Sequence, residues 1–345
     1  MTAPDGTTSP TSATLAPDAT IDALASGAVV QWWQTTAFVR VAGPDAVTLL
    51  DGLCTQAVER IEPGRAVLGL FLDAKARIIA PVVLHRIADA TWTDPKRGDE
   101  HEHAPVLLLE TLPELVEPLQ GHLTRYRLRA KASIEQVDVS SIAVIGVGAD
   151  EVAATIDVEG HWTRLEPHHA PTRTLLASSD ACAHVVRELL PAAGVGLADP
   201  DTLESVRIDA GHAGLHDLLA GRMPAEVGGM QSAVALDAGC YLGQEPVARL
   251  HYRGHANRTL RRVEGADAVR PGGPDGDDPD AAFALRRPTD ASDARPAGRL
   301  TTWAQRPDGT STGLAVLRRE LAVGDELRLT GSEAALRVVD APEPT

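Results

Sequence analysis

Near Leu260 the hydrophobic pattern of the chain changes period, and that change sets its architecture. Up to that point short apolar runs alternate with helical segments. AVVQWWQTTAFVR (residues 28–40) is rich in β-branched and aromatic residues, and VAGPDAVTLLDGLCTQ then passes through a Gly-Pro turn into a helical pattern. GRAVLGLFLDAKARIIAPVVLHRI reads as two strands broken at Asp73-Ala74-Lys75, a hairpin. The strand VLLLE and the amphipathic LPELVEPLQGHLTRYRL follow. A second unit opens near Val137: SIAVIGVGADEVAATI is strand, glycine turn and helix start, and CAHVVRELLPAAG is a helix stopped by glycine. Beyond the Pro/Gly/Asp-rich VRPGGPDGDDPDAA only short strand candidates remain, AGRLTTWAQ, TGLAVLRR and ELRLTG. The expectation is α+β: helices on one face of a mainly antiparallel sheet, followed by a small all-β domain.

Composition narrows the function classes. Lys plus Arg is 32 against 48 Asp plus Glu, a formal net charge of −16, so direct coating of nucleic acid is disfavoured, because it needs cations to displace condensed counterions. Three cysteines (Cys54, Cys182, Cys240) without a CxxC pair fit a reducing, cytoplasmic setting and no disulfide framework. The first twenty residues have neither a basic nor an apolar leader region and read as a disordered tail. No apolar run reaches the roughly 20 residues that would cross a bilayer as a helix, so no membrane partner is expected.

The stretch richest in chemistry is DAGCYLGQEPVARLHYRGHANRTLRRV, residues 237–263. Gly239 and Gly243 bracket Cys240, Tyr241 and Leu242 and permit close backbone approach. Gln244 and Glu245 set an amide beside a carboxylate. Residues 249–262 then hold five arginines (Arg249, Arg253, Arg258, Arg261, Arg262) and two histidines (His251, His255) without one Asp or Glu. Such a segment attracts anions, and guanidinium groups favour a thiolate at a nearby thiol. Against this stands the ordinary fate of a free cysteine, a small buried hydrophobe.

GCYLGQEPVAR closely resembles the K-G-C-aromatic-x-G-Q-E signature of the YgfZ family of folate-binding proteins, a branch of the fold shared with the aminomethyltransferase of the glycine cleavage system. LCTQAVERIEPGRAVLGLFLDAKARI, LTRYRLRAKASIEQVDVSS and VRIDAGHAGLHDLLAGRMPAEVG agree in order and spacing, so the resemblance covers about residues 30 to 330. It implies two ferredoxin-like α+β modules, the first discontinuous, and a C-terminal β-barrel. In residue ranges these are a tail over 1–26, a folate-binding unit over 27–51 and 138–253, a second unit over 52–137, and the barrel over 254–345 with a loop at 264–281.

The function so implied is a tetrahydrofolate-binding accessory protein, not a conventional enzyme. It would serve iron–sulfur proteins or their assembly machinery and thereby tRNA modification. Carried over by position, Cys240 is the functional thiol, while Arg207, Asp209, Tyr241, Gln244, Glu245, Arg249 and Arg253 are folate-binding candidates. Asp209 stands where the family places a carboxylate for the pterin's parallel N–H donors. Three positions depart from the pattern. Ala238 replaces the signature lysine, and Thr36 and Leu203 stand where some relatives carry tryptophan, with Trp33 merely nearby.

Two alternatives accompany this reading. One is a folate-dependent aminomethyltransferase, against which Ala80-Pro81 occupies the place of that enzyme's Asp pair and cannot relay a proton. The other is a partner-binding scaffold without folate. No stable metal or cluster is expected from a single signature cysteine. Cys54 and Cys182 read as core, Asp99–His103 as a solvated hairpin tip, His168-His169 as similar surface, Gly146-Val147-Gly148 as an ordinary turn, and Pro224-Ala225-Glu226 as a structural turn.

Overall fold

The computed structural model describes residues 14–32, 36–165, 170–266, 283–289, 295–330 and 335–339. Trp33, His168, His169, most of the 264–281 loop and residues 1–13 lie outside them. The first described element corrects the disordered-tail expectation: residues 17–26 form helix α1 (Pro17–Ser26). Pro17 is pre-set for a first helical position and Asp18 suits the positive helix end. Leu15, Ala23 and Leu24 pack beside Val29 and Leu203, and buried Thr20 accepts the Asp199 amide through its hydroxyl at 3.0 Å.

Nine strands form one sheet. Strands β1 (Val29–Gln31) and β2 (Ala37–Ala42) precede helix α2 (Ala46–Asp51). β3 (Arg65–Leu72), β4 (Ile78–Thr93) and β5 (Glu100–Thr111) lead to α3 (Val116–Arg127) and β6 (Ser133–Val137). β7 (Ser140–Ile145), α4 (Ala149–Thr155), β8 (His161–Leu165) and β9 (Thr172–Ala177) follow. α5 (Ser179–His184) then runs through a π-helical turn, Val185–Leu189, into α6 (Leu190–Ala192).

The sheet order is β1-β7-β9-β8-β3-β4-β5-β2-β6. All pairs are antiparallel except β3 with β8, which meet in parallel over only Arg65–Arg164 and Ala66–Leu165. Two antiparallel half-sheets therefore join edge to edge. One packs on α2 and α3 through Val39, Leu50, Phe71, Leu84, Leu109 and Leu119. The other packs on α4 to α6 through Ile142, Val144, Leu175, Cys182 and Val185. β2 and α2, expected within the discontinuous unit, belong with β5 and β6: Phe38 to Ala42 pair with both neighbours. Of the Asp99–His103 stretch, residues 100–103 are strand, because Glu100 and His101 pair with Thr93 and Trp92 in the β4–β5 ladder.

Helix α7 (Pro200–Asp209), a short α8 (Gly229–Ser232) and α9 (Gln244–Arg253) connect the sheet to a closed barrel. Its strands are β10 (Arg258–Gly265), β11 (Ala284–Arg286), β12 (Gly298–Gln305), β13 (Ser311–Arg318), β14 (Glu326–Leu329) and β15 (Ala335–Val339). Closure by β10 against β15 removes the exposed edges an open sheet would present. β13 is buried on both faces, since Leu317 fills the barrel while Leu314 meets Ile208 of α7. α7 is thereby clamped between sheet and barrel. Among the described residues no helix is long and apolar enough to cross a membrane.

Candidate functional site

The junction of the two half-sheets is not closed by apolar side chains. It holds a cavity of about 160 Å³ walled by Leu68, Val83, His85 and Glu110 from one half, Ser141, Ala143 and Thr174 from the other, and Leu203, Glu204 and Arg207 of α7. His85 on β4 is 1% exposed, with Nδ1 2.8 Å from the Thr163 hydroxyl and Nε2 3.0 Å from Glu110. Glu110 also accepts the hydroxyls of Thr36 at 2.7 Å and Ser141 at 3.0 Å. Burial pushes its carboxyl up, but His85 and the two hydroxyls outweigh this and hold it below the usual carboxylate range. An ionised Glu110 only accepts, so Nε2 of His85 donates to it, while Nδ1 is held by the Thr163 hydroxyl. Thr163 and Ser141 stand on the opposite half-sheet, so this network stitches the junction shut where the β3–β8 pairing is shortest.

The α7 wall is a second network. Asp199 caps the helix by accepting the Thr202 amide at 2.9 Å, and Pro200 opens its first turn. Arg207 donates to Glu204 at 2.5 and 3.0 Å, to Asp217 at 3.0 Å and to the His212 carbonyl. Asp217 is fully buried and accepts further from the Gly214 amide at 2.9 Å and from the Thr301 and Thr302 hydroxyls of the barrel. Burial disfavours the Arg207 charge, but Asp217 and Glu204 more than restore it, so the guanidinium stays protonated. Glu204 and Arg207 are three apart and share one face of the helix.

Asp209 is two residues beyond Arg207, roughly 200° around the helix, so the two side chains leave opposite faces of α7. Asp209 faces the barrel, taking Arg306 in a fork at 2.7 and 2.8 Å, Arg262 at 3.1 Å and the Thr312 hydroxyl at 2.9 Å. Burial raises its carboxyl, and those partners, Arg306 foremost, draw it below the ordinary range. Asp209 is therefore a helix-to-barrel clamp and does not line the cavity.

The 237–262 segment is divided by the fold. Tyr241 is buried among Leu70, Leu72, Ile78 and Val247, and burial pushes its hydroxyl up to about 12. Gln244 donates to the Gly239 carbonyl at 3.1 Å and closes the loop. Gly243 adopts φ +85°, and a Cβ there would stand 2.6 Å from the Asp73 carbonyl, so glycine is required. Cys240 is exposed on this loop, and Glu245, Arg249 and Arg253 are exposed on α9. Arg262, in contrast, lies on β10 and is paired with Asp209 and Glu264, so the five arginines do not form one anion site. None of Cys240, Tyr241, Gln244, Glu245, Arg249 and Arg253 lines the central cavity. Cys54 and Cys182 are buried, which pushes their thiols up to about 12 and about 11. Among the described residues no group of three or more His, Cys, Asp or Glu is gathered to hold a metal.

Of the residues singled out from sequence, Arg207 is at the cavity, together with Thr36 and Leu203, the two positions that depart from the family's tryptophans. His85, Glu110, Glu204 and Asp217 were missed. Two carried a signal: His85 interrupts the apolar run PVVLHRI and Glu110 ends VLLLE, places where a polar group must find a buried partner.

No family model matches the chain. It is 28% identical over 332 residues to the mitochondrial iron–sulfur cluster assembly factor IBA57 of Mus musculus, spanning 89% of this chain and 82% of that one. It is 26% identical over 321 residues to the tRNA-modifying protein YgfZ of Vibrio vulnificus strain YJ016, spanning 86% of each. The aminomethyltransferase T of the glycine cleavage system from Bartonella henselae superposes with a TM-score of 0.69 at 14% identity, covering 94% of this chain and 88% of that one, a likeness of fold alone. Relatives along most of the length and the shared architecture converge: the chain is similar to YgfZ and IBA57 proteins and has the fold of the aminomethyltransferase.

Proposed function

We propose that this chain is a folate-binding accessory protein that supports iron–sulfur protein assembly, and through it tRNA modification, in the cytoplasm. The names of its relatives supply the process. The observation that carries the ligand is the cavity with Glu204 on its wall. A pterin edge presents parallel N–H donors, which a carboxylate accepts as a pair. Glu204 is the α7 carboxylate on the cavity side and retains 31% side-chain exposure beside Arg207, whereas Asp209 is turned away. The wall chemistry thus fits the bicyclic head of a tetrahydrofolate, with Glu204 accepting its N–H edge and Leu68, Val83 and Leu203 covering its faces. A reduced folate supplies one-carbon carrying capacity when bound. The chain's own residues supply orientation, since Arg207 fixes Glu204 and Asp217 fixes Arg207.

Aminomethyl transfer is disfavoured at the position where the enzyme carries its Asp pair. Ala80 and Pro81 are buried in β4, and the Pro81 carbonyl is taken by the Thr111 hydroxyl at 2.7 Å. The process itself is assigned to the exposed Cys240, the one thiol of the three open to a partner.

Calorimetric titration with tetrahydrofolate tests the ligand. Saturable one-to-one binding is expected, weakened about tenfold by Glu204→Gln for the loss of a charge-assisted pair and unchanged by Asp209→Asn. Absence of binding at millimolar ligand overturns the folate assignment and leaves the partner-binding scaffold. Complementation of a deletion strain tests the process: wild type restores iron–sulfur enzyme activity and Cys240→Ala does not, whereas equal restoration by both overturns it.

A further inference from the structure

A second recess, sharing no residue with the central cavity, lies on the outer side of the first half-sheet. Its volume is about 430 Å³, and its walls are the Asp73–Lys75 turn with Ile79 on one side and Gly121, His122, Arg125 and Tyr126 of α3 on the other. That size is in the range of small-molecule pockets, roughly 300–1,000 Å³.

Its chemistry is cationic. Lys75 comes from the hairpin turn and Arg125 from the facing helix, both exposed, and neither has an ion-pair partner among the described residues. Arg125 is steadied over the Tyr126 ring at 5.9 Å. Asp73 is the one acid on the wall, and its Oδ1 is occupied by the amides of Lys75 and Arg77 at 2.8 and 2.9 Å, which shape the turn. Arg77 itself points away, donating to the Gly221 carbonyl at 2.8 Å. His122 is kept neutral by burial and by Arg125, and its ring is held between Phe71 and Tyr126.

Gly121 makes the recess more than a gap between charged side chains. A glycine inside a helix costs about 1 kcal/mol relative to alanine, and it is usually explained by close packing or by positive φ. Neither applies: a Cβ on Gly121 would meet nothing within 4 Å, and its φ is ordinary helical. What glycine provides here is open wall, one helical turn before Arg125.

We infer that this recess binds a small dianion, a phosphate- or dicarboxylate-bearing metabolite whose anionic group lies between Lys75 and Arg125 with its body over Gly121 and Tyr126. The site is placed to communicate with the Cys240 loop, because the Asp73–Ala76 turn that forms its wall is also the surface on which Gly243 rests. This assignment is independent of the folate reading.

Calorimetry in phosphate-free buffer tests it on the full chain, with inorganic phosphate in one arm and malonate in the other. Saturable one-to-one binding of at least one probe is expected; phosphate alone assigns the phosphoryl class, and malonate alone the dicarboxylate class. Lys75→Gln and Arg125→Gln, both surface changes, should each weaken binding about tenfold, and Gly121→Leu should abolish it by filling the wall. Tetrahydrofolate titrated against the same variants should bind as to wild type, which separates this site from the central cavity. The inference is overturned if neither probe saturates, or if binding persists undiminished in both charge variants.

Discussion

The central cavity and the Cys240 loop hold their chemistry by opposite means. In the cavity each charge is bound by others: Arg207 by Glu204 and Asp217, Glu110 by His85, Thr36 and Ser141. In the loop the side chain of interest is exposed and its neighbours do the holding, through Leu242 N–H to the Gly52 carbonyl at 3.1 Å, the Gln244 side-chain amide to the Gly239 carbonyl at 3.1 Å, and the Gly243 backbone against the Asp73 carbonyl. Cavity residues are therefore simultaneously structural, and a change there is read first as stability. A change at Cys240 is read as chemistry with the fold intact.

The largest expected effect is at Asp217. Asp217→Ala strips Arg207 of its buried partner and leaves the Thr302 hydroxyl and the Gly214 amide without their acceptor, so urea unfolding should show a loss of about 3–5 kcal/mol. A loss below about 1 kcal/mol would mean that Glu204 alone neutralises Arg207, and the contrast between cavity and loop would weaken.

Glu110→Gln should cost about 2 kcal/mol, since a charge-assisted acceptor is replaced by an amide facing the same donors. Its sign with pH is defined. The folded carboxyl titrates below the ordinary range, so its contribution is complete above the unfolded value and is lost as pH falls through the folded one. Wild type should therefore lose stability on acidification through the carboxylate range more steeply than Glu110→Gln, measured as denaturation midpoints across that range. Parallel acid limbs would show that the His85–Glu110 pair does not join the half-sheets energetically.

These two sites also mark what sequence reveals and what it hides. The Cys240 loop is contiguous, so its glycines, thiol and following helix stand side by side in the chain, and the φ of Gly243 is legible in the GCYLGQE spacing. The strand–helix alternation and the barrel strands are equally local, each set by its own hydrophobic period. The cavity wall takes in residues 36, 85, 110, 141, 204 and 207, and residues 163 and 217 hold that wall from behind, a set that only the pairing of distant strands brings together. Asp209 illustrates the risk: motif position placed it at the ligand, while helix geometry turned it to Arg306. The α1 helix was hidden because PDATIDALAS is marginal alone and is fixed by packing beside Leu203 and Val29.

Gly243→Ala comes next, at about 1–3 kcal/mol, because it combines φ +85° with a Cβ 2.6 Å from a backbone carbonyl that cannot swing aside. The loop's accessibility should change with it. If Gly243→Ala unfolds at the wild-type denaturant concentration, the Asp73 turn is yielding, and the main chain is not what fixes Cys240.

Cys240→Ala should move stability by less than about 0.5 kcal/mol, as expected of an exposed side chain without partners in the core. Its effect belongs to a different measurement. A thiol reagent added to the native wild type should modify one equivalent quickly, and none in Cys240→Ala, because Cys54 and Cys182 are buried with their thiols pushed up to about 12 and about 11. Denaturant should then release the remaining two. Fast modification of two or three thiols in the native state would place Cys54, which underlies the same loop beside Gly69, within reach of solvent. The loop would then be a moving segment rather than a fixed mount, and the distinction between a rigid cavity and a rigidly presented thiol would have to be redrawn as one between a rigid cavity and a loop that opens.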